Sequence, residues 1–378
     1  MYSVEFDLET ITPLFMAGAD GKTPELRPPS FKGMMRFWWR AMRADDDWKQ
    51  LSKDEAKIFG GTGKGEGKSK ISIRISQKNL KEGTNIKKYA KIQSHPGVGY
   101  LLYSTFMQKK EYFEYNSQFR LEISSPEIDS LHQAEAAFWL SVNFGGFGTR
   151  SRRGGGNLAV NNCRGKDDEH TILLKKRYMP TGNIQSFLTE GYKEAKKTIT
   201  QYKTNRYSNL SGATIFIGQG HENWQEALNS VGTPLMDYRA KKRPDYDIFA
   251  DYLTGSTNNN ELERVKFGLP LGGRFNNNPA VKGRSFNIVP KVDKKFTRRG
   301  SPLIIKIIKN NNSKNNKPYV PVLVALSGVF LPNDVELIIK ETGKNKIKGK
   351  PAPKKYTDAD IIRDFIDTKL PSFSEVKI

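Results

Sequence analysis

The chain has 378 residues, 37% hydrophobic and 11% aromatic, and its 62 Lys plus Arg against 40 Asp plus Glu leave a formal net charge of +22. That apolar content suffices for packed cores and excludes a disordered basic tail, the charge points to a polyanionic partner, and the length predicts two domains. A single cysteine, Cys163, excludes an intrachain disulfide framework and any multi-cysteine zinc or iron–sulfur site.

The chain opens on VEFDLET, Val4 to Thr10, which alternates apolar and polar residues and predicts a first strand. A Gly- and Pro-rich loop follows, in which Asp20 of the GADG turn reads as a turn residue rather than a catalytic carboxylate. Ser30 is the expected N-cap of the helix FKGMMRFWWRAM. Its apolar stripe of Phe31, Met34, Met35, Trp38, Trp39 and Met42 faces a core, whereas Lys32, Arg36, Arg40 and Arg43 form a basic face. Lys32, Arg36 and Arg40 recur every fourth residue, so mutual repulsion should favour an anionic neighbour.

Gly67, Lys68 and Ser69 match the end of a phosphate loop. The pattern fails at Thr62, where glycine is needed, and the segment precedes the alternating strand KISIRIS instead of opening a helix. It therefore reads as a basic turn. Further strands are predicted at Gly99 to Phe106 and Gln118 to Ser124, then a helix from Ser130 to Phe144 started by a Ser130/Gln133 capping box. NLAVNN, Asn157 to Asn162, closes this half as a short strand. The order strand, helix, strand, strand, helix, strand is the ferredoxin-like βαββαβ arrangement of many RNA-binding domains, an α+β fold.

Between that helix and strand lies GGFGTRSRRGGG, Gly145 to Gly156. Gly145, Gly146, Gly148, Gly154, Gly155 and Gly156 would let backbone N–H groups approach an anion, and Arg150, Arg152 and Arg153 would supply planar phosphate-binding forks. A flexible, solvated basic loop is the competing reading.

In the second half a polar stretch from Arg164 to His170 marks a domain boundary. TILLKK reads as a strand and FLTEGYKEAKKTITQYK as a helix, followed by strands ATIFIGQ, SFNIVPK, PLIIKIIK, VPVLVALSGVF and VELIIKE. STNNNE and KNNNSKNNK read as polar turns, the second as a hairpin tip. KETGKNKIKGKPAPKK reads as a basic linker to a final helix from Asp358 to Leu370. Arg274, Lys282 and Arg284 lie among glycines and faintly mirror the first-half loop.

His95, His132, His170 and His221 lie far apart without metal-ligand spacing, so no metal or cofactor is expected. His132, in SLHQAEAAFW, fits a helix start better than a general base. No apolar run approaches the roughly 18 residues of a spanning helix, and the opening lacks a secretory signal's pattern. A soluble, cytoplasmic protein without a membrane partner is the expectation.

Three segments carry a resemblance: ITPLFMAGADGKTPELRPPSFKGMMRFWWRAM, FGGFGTRSRRGGG, and RRGSPLIIKI at Arg298 to Ile307. Together they resemble the RAMP superfamily, specifically the family of subunits numbered first among the RAMP proteins of type III-B CRISPR Cmr effector complexes. The resemblance covers most of the chain and is strongest in the N-terminal half. It implies tandem ferredoxin-like, RRM-like RAMP domains, here over residues 1–165 and 166–378. It also implies contacts to other RAMP subunits and single-stranded RNA, guide or target, near the guide 3′ end. Transferred to this numbering, RNA contacts fall on the Gly145–Gly156 loop, on Lys32, Arg36, Trp39 and Arg40, on Arg298 and Arg299, and more weakly on Arg27. Arg274 and Arg284 join them from the second glycine loop.

In such complexes target cleavage and guide processing belong to other subunits, so a non-catalytic role in antiviral defence is expected. A metal-independent RNase needs a base and a group that stabilises the charged transition state. The arginines could supply only the second. A RAMP-type endoribonuclease and a protein-only capping subunit are the alternative classes.

Overall fold

A computed structural model describes residues 1–89, 94–241, 245–255, 261–275, 279–292, 295–296, 298–311, 316–332, 335–342, 349–351 and 360–377. The first half builds a four-stranded antiparallel sheet from β1 (Tyr2–Thr10), β2 (Ser72–Asn79), β3 (Gln118–Ser125) and β4 (Leu158–Arg164), in the order β2-β3-β1-β4. That is the ferredoxin-like order, with the first and third strands at the centre. Period-two alternation gives each strand one apolar face: Val4, Phe6 and Leu8 on β1 lie beside Phe119, Leu121 and Ile123 on β3, all buried. Three helices accompany the sheet, α1 (Pro28–Arg43), α2 (Trp48–Phe59) and α3 (Ile128–Asn143), and Phe31, Met35 and Trp38 of α1 join Leu131, Phe138 and Trp139 of α3 in the core.

Three local expectations change. Helix α1 begins at Pro28 with Arg27, not Ser30, as its N-cap and no side-chain cap; prolines in the first turn carry no N–H to satisfy. Helix α3 begins at Ile128, and the Ser130/Gln133 box does not form. Ser130 Oγ donates to Glu127 Oε2 at 3.1 Å, while Gln133 accepts from Trp39 Nε1 and donates to the Thr198 carbonyl, both at 2.8 Å. The predicted strand from Gly99 to Phe106 is instead two short helical segments, Pro96–Leu101 and Tyr103–Met107. Val98, Leu101, Leu102 and Thr105 are buried at helical spacing; with this segment helical the four-stranded sheet keeps the βαββαβ order, and a separate two-residue ladder pairs Glu82–Gly83 with Tyr112–Phe113.

TILLKK is also helical, within α4 (Asp168–Tyr178). Asp167 caps its start by accepting from His170 N at 2.8 Å, and Lys175, Lys176 and Arg177 sit in its last turn, both favourable to the helix dipole. Its β-branched and leucine-rich centre suggests a strand, but Leu174 and Tyr178, four residues apart, are the buried pair. Helix α5 (Ile184–Thr198) follows as expected.

The second half repeats the topology. β5 (Asn209–Ile217), α6 (Trp224–Lys241), β6 (Leu303–Lys309), β7 (Tyr319–Ser327), α7 (Ile361–Lys369) and β8 (Ser374–Lys377) follow one another as βαββαβ. Their sheet runs β6-β7-β5-β8, the same second-third-first-fourth order. The fold is α+β with tandem ferredoxin-like domains. β6 and β7 are neighbours joined across KNNNSKNNK, whose residues 312–315 lie outside the described set, as do 256–260 of STNNNE, 343–348 and 352–355 of the basic linker, and 358–359 of the predicted final helix.

A third, antiparallel sheet of five strands includes Leu271–Arg274, Ser285–Val292 and Glu336–Thr342, segments inserted between elements of the second repeat. Compactness divides the chain into Met1–Thr233, Ile304–Gly328 and Ser372–Ile378 on one side and Pro234–Leu303 and Val329–Pro371 on the other. Each unit has its own apolar core, the second around Phe249, Phe275, Phe286 and Ile339. Among the described residues no helix is long and apolar enough to cross a membrane.

Candidate nucleic-acid interface

The Gly145–Gly156 loop is an ordered part of the core, not a solvated tether. Phe147 N donates to Gly156 O at 2.9 Å, Thr149 N to Phe15 O at 2.8 Å, Arg153 N and Gly155 N to Arg150 O at 2.8 and 3.1 Å, and Gly156 N to Pro13 O at 2.9 Å. Of the six glycines, Gly155 and Gly156 thus spend their N–H groups on acceptors within the chain rather than on an anion. Gly156 shows what they do instead. Its φ is +64°, and a Cβ there would lie 1.9 Å from the Phe147 carbonyl oxygen. The loop's glycines permit close backbone packing.

Arg150 stands out because it holds φ +67° in a loop otherwise supplied with glycine for such conformations. A left-handed arginine costs roughly 1 kcal/mol relative to an unstrained backbone. The Arg152 guanidinium lies 4.8 Å over the Phe37 ring of α1, and Arg152 O accepts from Ile305 N at 3.1 Å, joining loop to β6. Arg150, Arg152 and Arg153 are all half-buried on this pinned backbone.

Asn157, immediately after the loop, completes the anchoring. It is fully buried, its Oδ1 accepts from Ile307 N at 2.8 Å and its N–H donates to Thr12 Oγ1 at 2.9 Å. Sequence reasoning gave it no role beyond strand residue.

The basic face of α1 has its anionic neighbour inside the chain. Arg40 Nη1 donates to both Glu55 oxygens at 2.6 and 2.7 Å, and Arg36 Nε donates to Glu55 Oε1. Arg43 pairs with Asp54 at 3.3 Å and stacks 4.7 Å over Tyr202. Repulsion along the face is thus relieved by α2. Arg36 and Arg40 still keep 35% and 38% of their side-chain surface exposed, enough for a second anion to reach them. Lys32 Nζ donates to Ile71 O at 2.7 Å and Ser69 Oγ at 3.0 Å, and burial, with Arg36 nearby, holds its ammonium below the ordinary lysine pKa. Trp39 is core: it is 2% exposed and hydrogen-bonded to Gln133, so its expected RNA contact is corrected.

Arg27 is 40% exposed at the start of α1, 3.9 Å from Glu25. Asp20 accepts from the backbone N–H groups of Lys22 at 2.9 Å and Thr23 at 3.1 Å, which makes it the turn residue the sequence indicated.

Arg274, Arg284, Arg298 and Arg299 belong to the other compact unit. Arg274 and Arg298 are exposed. Arg284 forms a bidentate pair with Glu341 at 2.6 and 2.7 Å and also donates to Leu253 O at 2.7 Å, so its guanidinium holds a strand and a helix end together. Arg299 exchanges backbone bonds with Leu269 and donates through Nη2 to Val329 O at 3.0 Å. For Arg284 the expected RNA role gives way to a structural one, because its donors converge on internal acceptors.

Among the described residues no group of three or more His, Cys, Asp or Glu could hold a metal ion. Cys163 is buried in the sheet, and burial pushes its thiol pKa up to about 12.

The sequence profile of the RAMP superfamily matches residues 7–159, the unit that carries α1 and the glycine loop. A Pyrococcus furiosus protein described as CRISPR system Cmr subunit Cmr1-2 is 36% identical over 187 residues, 43% of this chain and 98% of its own length. A second from the same organism, CRISPR system Cmr subunit Cmr1-1, is 25% identical over 354 residues, 88% of this chain and 90% of its own. The crystal structure of apo Cmr1 from Pyrococcus furiosus superposes with a TM-score of 0.65 at 18% identity, covering 100% of this chain and 99% of that one. The chain belongs to the RAMP superfamily and, within it, to the family of Cmr1 subunits of CRISPR systems.

Proposed function

We propose that this chain is a non-catalytic RNA-binding subunit of a type III-B CRISPR (Cmr) effector complex, acting in the cytoplasm in antiviral defence. In this reading it holds single-stranded guide or target RNA near the guide 3′ end and contacts neighbouring RAMP subunits. The observation that carries it is Arg150. Three guanidinium groups sit within four residues on a loop pinned by backbone hydrogen bonds, and Arg150 among them holds a left-handed backbone at a cost of roughly 1 kcal/mol. Pre-organised arginines bind phosphate without losing loop entropy on association. The exposed edges of Arg36 and Arg40 and the exposed Arg27, Arg274 and Arg298 add to a chain of net charge +22. We also place the domain boundary at 165/166, supported by closure of the first sheet at Arg164 and the start of the second at Asn209.

The test is retardation of end-labelled single-stranded RNA across a salt series, comparing wild type with Arg150, Arg152 and Arg153 all changed to Ala. Each phosphate contact contributes roughly 0.7 to the log–log salt slope for single strands. Loss of binding in the triple variant, a slope lower by up to about 2 and intact RNA are expected. Cleaved RNA would support the endoribonuclease class, and equal binding by both proteins would assign the loop to structure or subunit contact.

A further inference from the structure

We propose that the groove between α4 and α5 docks an acidic, amphipathic helix of a partner protein. The groove encloses about 680 Å³, and Leu173, Phe187 and Gly191 are among the residues that line it. On α4, the groove residue Leu173 is 51% exposed, and Ile172, next along the helix and outside the groove lining, is 70% exposed. Apolar side chains left open at the centre of a ring of cations have the arrangement of an interaction surface, apolar inside and polar at the rim.

Charge defines the partner. Lys176, Arg177, Lys193, Lys196 and Lys197 line the same groove, opposed by Glu190 and Glu194. Glu194 is already paired with Lys197 at 2.7 Å and lies 3.8 Å from Arg177. Lys176, Lys193 and Lys196 have no ion-pair partner among the described residues. A second copy of this chain, at net charge +22, would be repelled. RNA phosphates would meet the cations but leave the apolar side chains of Leu173 and Phe187 uncovered, and one aromatic face gives bases no successive stacking platform. An acidic helix fits. The α5 wall from Phe187 to Lys197 runs roughly 15 Å, close to three turns, matching a partner with apolar residues at i, i+3 or i+4, and i+7 between Asp and Glu flanks.

The groove is preformed. Gly191 lets α5 press onto Trp139, since a Cβ there would lie 2.0 Å from the indole, and Trp139 Nε1 donates to Arg177 O at 2.8 Å, tying α4 to the same side chain.

The full-length protein is panned against a displayed library of random 15-residue helical peptides, and enriched peptides are measured by fluorescence anisotropy. Enriched sequences should carry the apolar stripe with acidic flanks and bind Leu173→Glu at least tenfold more weakly. The Lys176→Glu/Lys193→Glu/Lys196→Glu variant should turn the preference toward basic flanks. Leu173 is on the surface, so both variants should keep the wild-type circular dichroism and RNA retardation. Failure to enrich any such motif, or enriched peptides that bind both variants like wild type, overturns the proposal. So does loss of RNA binding in a folded Leu173→Glu protein, which would make the groove a nucleic-acid surface. The arginine-loop experiment reads a different site, and either reading can fail alone.

Discussion

Arg40 Nη1 touches both oxygens of Glu55, at 2.6 and 2.7 Å, across the α1–α2 contact, and Glu55 is only 5% exposed while Arg40 is 38% exposed. One carboxylate therefore fixes two cations of the basic face, because Arg36 shares it. The outer edges of those guanidinium groups remain open.

Replacing that carboxylate separates the structural from the binding role of the face. Glu55→Gln leaves Arg36 and Arg40 without their buried counter-charge and should cost about 1–2 kcal/mol, reduced by their partial exposure. Chemical denaturation measures the loss. RNA affinity should hold or rise, since the cations become less neutralised; a fall in affinity in protein that remains folded would contradict the assignment.

Gly156→Ala should be far more damaging than its size suggests. The new methyl meets the Phe147 carbonyl at 1.9 Å and the backbone stays at φ +64°. We expect a loss on the order of 3 kcal/mol or more, or failure to fold, read as a lowered melting temperature. Gly21→Ala is the control: at φ +69°, with nothing within 4 Å of the added methyl, it should lose about 1 kcal/mol.

Trp39→Ala should behave as a core deletion. Removing a buried indole and its hydrogen bond to Gln133 should cost about 3–5 kcal/mol in denaturant unfolding. RNA affinity per folded molecule, from titration of the binding-competent protein, should stay at the wild-type level.

Lys306 gives a pH signature. It is 1% exposed in β6, its ammonium donates to the Leu158 carbonyl at a long 3.5 Å, and burial pushes its pKa down to about 7. In the unfolded chain it titrates near 10, so between those values the unfolded state binds the extra proton and stability rises with pH. Below pH 7 both states are protonated and the burial penalty is at its fullest. Lys306→Met should therefore stabilise most at or below pH 7, by up to about 4 kcal/mol, with the gain shrinking as pH climbs toward 10. Urea unfolding of both proteins from pH 6 to 10 measures this, and a gain independent of pH would show that the ammonium is solvated.

Much of the scaffold is legible in the sequence because it depends on local periodicity. The alternation in VEFDLET and the three-and-four spacing of α1 each encode one buried face, and the continuous apolar runs of β6 and β7 encode strands buried on both, whatever lies against them. Gly99 to Phe106 and TILLKK mislead for a shared reason. Short runs rich in apolar residues fit either period, and the deciding signals are Pro96 and the Asp167 cap. The third sheet could not be placed from sequence, since pairing between distant strands leaves no local mark.

The sequence alone determined the net charge of +22, the βαββαβ character of the first half, the family resemblance and the concentration of glycine and arginine between Gly145 and Gly156. Composition and local periodicity are properties of neighbouring residues, so they survive without coordinates. Only the tertiary structure decided which cations are already neutralised. Arg36 and Arg40 meet Glu55 15 to 19 residues away, Arg284 meets Glu341 57 residues away, and the loop's glycines close on Pro13 and Phe15. Electrostatic pairing and close packing depend on distance in space, which the order of residues along a chain does not state.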